Sequence, residues 1–461
     1  MAKYQQYAEY KDSRVEWLGE IPKEWIPIRL KHLLLESLVY GANEAAEDDN
    51  PKNPRYIRIT DMNSDGTLDP NTFRSLPLHI AKYYLLKDGD ILLARSGATV
   101  GKSFYYKSEF GLSCFAGYLI RARPHRSKLD SRFAYWFFQS DSYWKYVTGS
   151  QIKATIQNVS AEKYGDLYLS LPKKIEEQSQ IANFLDHETA KIDSLIEKQQ
   201  QLIQLLKEKR QVVISQAVTK GLNPDVPMKD SGVEWLGEVP EHWEISRLKH
   251  ILDMPMRNGL FKKKDQFGSG SLLVNVTDLF VENNFINTDN LESVQTTFDE
   301  RKAYKINYGD LFFVRSSLKL EGIGRSACFL SHHDNAVFEC HVVNARPNVK
   351  KISPKYLTRY LNSIAVIQEY IRRSKTTTMT TIDQNGISSI NIVVPPKVEQ
   401  IHIDNYLDNK LEIFSDGEKK AKAIIDFLIE RRTALISAAV TGKIDVRNWQ
   451  KPTEAKMELS T

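Results

Sequence analysis

Residues 12–34 read DSRVEWLGEIPKEWIPIRLKHLL, and residues 230–252 read DSGVEWLGEVPEHWEISRLKHIL. At a shift of 218, 15 of these 23 positions are identical. A fixed internal period dictates architecture, because each repeat must be one structural unit. This period is far longer than the roughly 20–50 residues of a solenoid repeat. The chain is therefore two copies of one whole module, which suggests a molecule that grips something in two places.

The duplication continues beyond the tryptophan segment. YIRITD from Tyr56 answers to LVNVTD from Leu273, and GDILLARS from Gly89 answers to GDLFFVRS from Gly309. ARP at Ala122 recurs at Ala345, and EEQSQIANFLD from Glu176 recurs as VEQIHIDNYLD from Val398. The shift stays between 217 and 223, so insertions between the halves are small and fall between the anchors, where loops accept them.

Each half has a strand-rich front and a helical back. ILLAR and LFFVR are short apolar runs entered from Gly-Asp, the pattern of buried strands after a turn. Phe133, Tyr135, Trp136, Phe137, Phe138, Tyr143 and Trp144 have the spacing of one or two helices facing a core. From Asp186 to about Val218, apolar residues at Ile192, Leu195, Ile196, Leu202, Ile203, Leu206 and Val213 form a helical stripe with partial heptad character. A shift of 222 turns it into Phe414, Ala421, Ile424, Ile425, Leu428 and Leu435, with Gly417 in place of Leu195 weakening the second helix near its start. Gly221 and Gly442 are the C-terminal stops. Roughly 33 residues make a rod of about 50 Å. Each rod needs a partner along its stripe, and the other copy is the economical one.

Composition bounds the rest. The chain has 461 residues, 41% hydrophobic and 26% charged, enough for two or three ordinary soluble domains. A net charge of +5 permits a nucleic-acid partner without demonstrating one. Cys114, Cys328 and Cys340 make no paired framework, which fits reduced thiols. No signal-peptide core and no run of 18 apolar residues is present, so a soluble cytoplasmic protein is expected.

Antiparallel packing of the rods would relate the two fronts by an approximate two-fold axis. The expected fold class is α+β: two pseudo-two-fold-related strand-rich domains joined by two long antiparallel helices. DNA half-sites read from one face lie about 34 Å apart per turn, so a 50 Å spacer suits two readers about one turn apart. Because the fronts differ in sequence, the expected target is bipartite and asymmetric.

VEWLGEIPKEW and its copy, the two GD-hydrophobic-RS strands and the EEQ/VEQ-x-x-I-x-N-[FY]-L-D helix entrances form an ordered set that occurs twice. This set resembles the specificity subunit of a type I restriction–modification system, over nearly the whole chain. The resemblance implies target-recognition domain 1 with its N-terminal conserved segment over 1–170, a central conserved helix over 171–226, and target-recognition domain 2 over 227–393. A C-terminal conserved helix over 394–446 follows, then a tail over 447–461 whose order the sequence does not decide. It further implies a non-catalytic chain in complex with two modification subunits that bind S-adenosylmethionine and methylate adenine. Restriction subunits can join, using ATP with Mg to translocate and cleave DNA. No cofactor is expected on this chain.

Several motifs approach enzyme chemistry and fail. SGATVGKS (96–103) is one residue short of a phosphate-binding loop, but SFYYKSEFGLSCF after it reads as strand and turn where that loop needs a helix. Its counterpart RSSLKLEGIGRS has no lysine at that place, and a glycine-rich hairpin is the preferred reading. NPRY (53–56) misses the N-P-P-[YF] loop of amino-methyltransferases at Arg55, and EGIG at Glu321 is a fragment in the other half. Cys328, His332, His333, Cys340 and His341 match no common zinc spacing, so no metal site is assigned.

DNA reading needs directional donors and acceptors for bases, and cations or hydroxyls for phosphates. In the first half the candidates are Arg58, Thr60, Arg95, Ser96 and Lys102, with Gln151, Lys153, Thr155 and Asn158 from GSQIKATIQN (149–158). In the second half RNGLFKKK offers Arg257, Asn258, Lys262, Lys263 and Lys264. Arg315, Ser316, Lys319 and Arg325 flank the shared hairpin, and RRSKTTTMTTIDQN (372–385) offers Arg372, Arg373, Lys375 and Thr376. Arg95 and Arg315 also have a structural reading, since both halves keep them. The counterpart of the basic loop is acidic, with Glu44, Glu47, Asp48 and Asp49, so the halves are expected to engage DNA differently. Two other functions fit parts of the pattern. A fused restriction–modification enzyme would need nuclease, helicase and methyltransferase motifs, and a coiled-coil scaffold with two protein-binding heads would not select DNA.

Overall fold

The computed structural model describes residues 4–63, 65–150, 158–376 and 379–452. It has two compact units: Met1–Gln200 with Ala423–Thr461, and Gln201–Lys422. These units cut across the five segments expected from the sequence, because each takes part of both long helices.

In the first unit, strands Val39–Tyr40 (β1), Ile91–Ala94 (β2), Ser103–Tyr105 (β3) and Leu119–Ala122 (β4) form an antiparallel sheet of order β1-β4-β2-β3. In the second, Arg257–Asn258 (β5), Leu311–Val314 (β6), Ser326–Cys328 (β7) and Val342–Ala345 (β8) repeat it as β5-β8-β6-β7. Both GD-hydrophobic segments are thus central strands, and every residue of β2 and β6 is buried. The register equates Tyr40 with Asn258: Tyr40 pairs with Ile120 opposite Leu93, and Asn258 with Val343 opposite Phe313.

The long helices are α1 (Ile175–Lys220) and α2 (Lys397–Val440). The periodicity began the first helix at Asp186; it begins 11 residues earlier, making 46 residues and a length of about 69 Å. The reason is a side chain. Gln178 Nε2 donates to Pro172 O at 3.0 Å and Lys128 O at 3.2 Å, and Gln178 Oε1 accepts from the Asp130 N–H at 2.9 Å. Gln400 repeats this with Pro395 O, Lys351 O and the Ser353 N–H. The glutamine kept in both EEQ/VEQ motifs ties the first turn of each long helix to the short helix that caps the core, Ser131–Phe137 or Pro354–Leu361.

The repeated tryptophan segment folds around these helix ends. A hairpin, Tyr10–Asp12 with Glu20–Pro22, precedes Ile26–Arg29, which pairs with Tyr168–Leu171 just before α1. The second copy pairs Met228–Asp230 with Glu238–Pro240 and Glu244–Arg247 with Asn391–Val394. Trp25 and Trp243 are each 1% exposed. Trp25 Nε1 donates to Glu177 Oε1 at 3.1 Å, and Trp243 Nε1 to Glu399 Oε2 at 2.9 Å. Each ring also packs beside a terminating glycine, Gly442 for Trp25 and Gly221 for Trp243.

Within the first unit, Ile192 and Ile196 of α1 share a core with Leu428 and Leu435 of α2, and Arg432 Nε meets Asp193 Oδ1 at 2.9 Å. Within the second, Val213 and Ile214 share a core with Leu407 and Leu411. Early α1 thus meets late α2, and late α1 meets early α2, as antiparallel packing requires. Gly417 interrupts nothing: the helix runs through it, and a Cβ there would lie 3.2 Å from Leu206. The apolar stripe is less buried than its spacing implied, for Leu195 is 46% and Leu202 42% exposed.

Phe133, Trp136, Phe137, Phe138 and Tyr143 are buried in the core of the first unit, whereas Trp144 is 41% exposed. The glycine-rich hairpin also holds: a 3-10 turn at Gly97–Thr99 leads straight into β3, so a strand stands where a phosphate-binding loop needs a helix. The tail begins ordered. Trp449 packs on Phe184 with ring centroids 5.5 Å apart, and the Arg447 guanidinium lies 4.8 Å from the Tyr7 ring. Among the described residues, no helix is long and apolar enough to cross a membrane.

Candidate nucleic-acid interface

Where β2 and β6 end, each unit builds the same small platform. In the first, Ser96 bridges to Asn158, and the Val159 N–H donates to Arg95 O at 2.9 Å. In the second, Ser316 pairs with Thr381, and the Ile382 N–H donates to Arg315 O at 2.9 Å. A short capped helix follows at once: Ala161–Asp166 behind Ser160, and Gln384–Ser388 behind Asp383. Backbone pairing holds the platform, which leaves its side chains free to differ.

They do differ. In the first unit the Arg95 guanidinium lies 4.6 Å from the Tyr40 ring, whose hydroxyl accepts from the Ala161 N–H at 2.9 Å. Arg95 Nε and Asn158 Oδ1 are buried without a hydrogen-bond partner among the described residues. In the second unit Asn258 replaces Tyr40, and Gln384 Nε2 donates to its Oδ1 at 3.1 Å. A recess beside that pair is lined by Arg315, Thr381, Asp383, Gln384 and Asn385. A three-stranded ribbon of Ser316–Ser317, Thr380–Thr381 and Lys375–Thr376 borders it, with Lys319, Lys375 and Thr376 exposed.

Other candidates are occupied with holding the fold. Arg58 grips the buried Asp61 at 2.7 Å and donates to Thr72 O, while Thr60 is exposed beside it. Lys102, the phosphate lysine of the near-miss loop, donates to Met62 O at 2.7 Å. Arg257 donates to Asn344 Oδ1, Ala303 O and Lys305 O, and burial followed by the nearby Arg346 lowers its pKa. Lys262 pairs with Glu300 at 2.8 Å, whereas Lys263 and Lys264 are exposed. Arg325 lies over Phe280, 5.6 Å from the ring centre.

Arg372 and Arg373 both chelate Glu369, at 2.7 and 2.6 Å, and Arg373 also reaches Ser389. The Arg372 hydrogen bond, reinforced by Arg373, holds the buried Glu369 carboxyl below the ordinary glutamate range. Arg372 nonetheless keeps 73% of its side chain exposed. Gln151, Lys153 and Thr155 lie outside the described residues.

On the acidic loop, Asp48 accepts from Asn53 Nδ2 and Ser75 Oγ, which hold its pKa down. That loop is a structural turn. Cys328 is buried in β7 and His332 stacks on Tyr308, while Cys340 and His341 share a loop with Glu339, whose Oε2 lies 2.9 Å from His341 Nδ1. Sequence reasoning missed Tyr40, Thr381 and Gln384 as individuals. Thr381 and Gln384 stand in the quoted 372–385 stretch, but Tyr40 carried no sign because only the fold sets it under Arg95.

Two copies of one platform with unlike exposed side chains match a family built for selecting sequence. A model of the type I restriction modification DNA specificity domain matches residues 23–205 and again 240–424. The chain belongs to the type I DNA-specificity family. Over 447 residues it is 23% identical to the type I restriction enzyme EcoKI specificity subunit of Escherichia coli strain K12, covering 94% of this chain and 91% of that one. It is 23% identical over 442 residues to the StySPI specificity subunit of Salmonella potsdam, with 94% and 91% covered. The backbone is similar to a chain solved in work on complex assembly and conformational transition of the type I R-M system, with TM-score 0.70, 14% identity, and 92% and 99% of the chains covered. The HsdS subunit from Thermoanaerobacter tengcongensis matches at TM-score 0.54 and 15% identity, covering 92% and 98%. In this DNA-specificity chain both matched domains include a platform, so the family supports sequence recognition over a scaffold with protein-binding heads.

Proposed function

We propose that this chain, without catalytic activity of its own, directs adenine methylation by a type I complex to a bipartite, asymmetric site on double-stranded DNA. The observation that carries this reading is the platform that ends β2 and β6. Both units pair the strand end with a following segment in the same way, while the side chains gathered there are Arg95, Tyr40 and Asn158 in one and Arg315, Asn258, Thr381 and Gln384 in the other. Phosphate contacts position a protein on DNA, and base contacts specify the sequence. A constant frame with variable polar tips separates these tasks, one half-site to each unit.

The partners in this proposal are two modification subunits, with restriction subunits where cleavage occurs, acting in the cytoplasm. S-adenosylmethionine, and ATP with Mg, would be held by those subunits. Exposed apolar side chains on the long helices support a docking role: Leu195 and Phe427 in the first unit, and Leu202, Leu205 and Ile413 in the second. Patches of this kind mark interaction sites when contiguous. The test is the methylome of a host expressing this chain with its modification subunit. A single two-part motif with unlike halves is expected, and methylation without a defined motif would sink the reading.

A further inference from the structure

On the second unit's platform, Gln384 Nε2 donates a hydrogen bond to Asn258 Oδ1 at 3.1 Å. It uses one Gln384 donor and one Asn258 lone pair. Among the described residues no other side-chain hydrogen bond engages either amide, so Gln384 Oε1 remains an acceptor and Asn258 Nδ2 a donor. Asn258 is exposed and Gln384 half-buried. The joined pair therefore leaves one acceptor and one donor unused, next to the recess that Gln384 lines.

The four bases differ in what they show in the major groove. Adenine shows the N6–H donor beside the N7 acceptor, guanine shows two acceptors, cytosine a donor, and thymine an acceptor with a methyl group. An acceptor beside a donor complements adenine, whereas guanine would set its O6 against Gln384 Oε1. We propose that Gln384 and Asn258 form one composite reader of an adenine in the half-site contacted by the second unit. Gln384 Oε1 accepts from N6–H, and Asn258 Nδ2 donates to N7. The proposal rests on reading the chain as a DNA-specificity subunit and names a base within that reading.

Among the described residues, the matching positions of the first unit carry no such amide pair. The equivalent positions are Tyr40 and Ala161, joined through the Tyr40 hydroxyl, with the Arg95 guanidinium over the ring. At these matching positions the amide pair belongs to the second unit, whose Arg315 also lines the recess.

The test uses the full complex with its modification subunits and a duplex carrying the motif found in the methylome. The second unit's half-site is the one left unchanged when residues 35–165 are exchanged for those of another family member. In that half-site, 7-deaza-adenine, which lacks the N7 acceptor but pairs normally, replaces adenine one position at a time. At one position the wild-type complex should bind about 2- to 12-fold more weakly, because one of the two hydrogen bonds of a bidentate base contact is lost. The Gln384→Ala, Asn258→Ala complex should show no further loss at that position, and its methylome should relax there while keeping the other half-site. No sensitive position, or equal sensitivity in the double variant, overturns the amide reader and leaves the specificity reading intact. Should the double variant fail to fold, Asn258→Ala alone takes its place, and undiminished sensitivity to the loss of N7 in that complex overturns the amide reader. A wild-type complex that methylates no defined motif overturns both.

Discussion

Trp243 marks the end of one helix and the start of another with a single side chain. Its indole N–H meets Glu399 in the first turn of α2, and its ring packs at Gly221, past the end of α1. Hydrogen bonds to charged groups contribute about 1.5–3 kcal/mol, and Glu399 is 38% exposed. Trp243→Phe should therefore cost stability near the lower end, about 1.5 kcal/mol, in urea unfolding of the full chain. No change in midpoint would mean that water replaces the indole without loss. Gly442 gives a sharper contrast. Its φ is +73°, and a Cβ would lie 2.3 Å from the Pro22 ring, whereas Gly237 at φ +63° has nothing within 4 Å. The left-handed backbone alone costs about 1–2 kcal/mol for a residue with a Cβ. Gly442→Ala should melt at a lower temperature than Gly237→Ala, and equal melting would show that the Pro22 contact yields freely.

The ribbon of Ser316–Ser317, Thr380–Thr381 and Lys375–Thr376 exposes Lys375, Thr376 and Thr381. Lys319 and Lys375 carry no ion pair among the described residues. Each phosphate contact adds about 0.9 to the salt slope of duplex binding. Lys319→Ala with Lys375→Ala should lower that slope by about 1.8 if both touch phosphates, while Arg58→Ala should alter stability instead. An unchanged slope in the double variant would remove this ribbon from the interface. The helix Ile364–Arg373 leads into the ribbon, and Glu369 clamps its last turn through Arg372 and Arg373. The Arg372 and Arg373 guanidiniums hold the folded-state pKa of Glu369 below the ordinary glutamate value of about 4.5, so the unfolded chain takes the proton more readily. The stability it contributes is present above that value and is lost as the pH falls through the lowered one. Glu369→Gln should be less stable than wild type at neutral pH, with the gap closing in acid unfolding below the ordinary glutamate range. A gap independent of pH would show that charge is not what the clamp uses.

Across the whole chain, residues 35–165 hold the first platform, while Trp25, Gln178 and the long helices lie outside them. Exchanging this stretch for that of another family member should change one half of the methylated motif, and a change in both halves would break the modular reading. The duplication was legible because the frame repeats its chemistry: tryptophan to glutamate, glutamine to loop carbonyls, and glycine at each helix end. Those contacts need particular residues, so they leave identical letters at a near-constant shift. Strand and helix classes followed from hydrophobic period, and the near-miss phosphate loop was dismissed because no helix pattern followed it. Helix length was less legible, since the first turns of α1 and α2 are held by buried glutamine side chains and not by an apolar stripe. The polar site was the least legible part. Arg58, Lys102, Arg257 and Lys262 have the same composition as DNA contacts, but each already gives a hydrogen bond within the fold, to Asp61, Met62, Asn344 and Glu300. By itself the sequence determined two modules, their order and the frame that joins each to its helices, because core and helix-end contacts constrain residue type. Only the tertiary structure decided which polar side chains remain free and which face each other. Tyr40 meets Arg95 across 55 residues and Asn258 meets Gln384 across 126. No local pattern records a pairing made by strands and helices that distant in the chain.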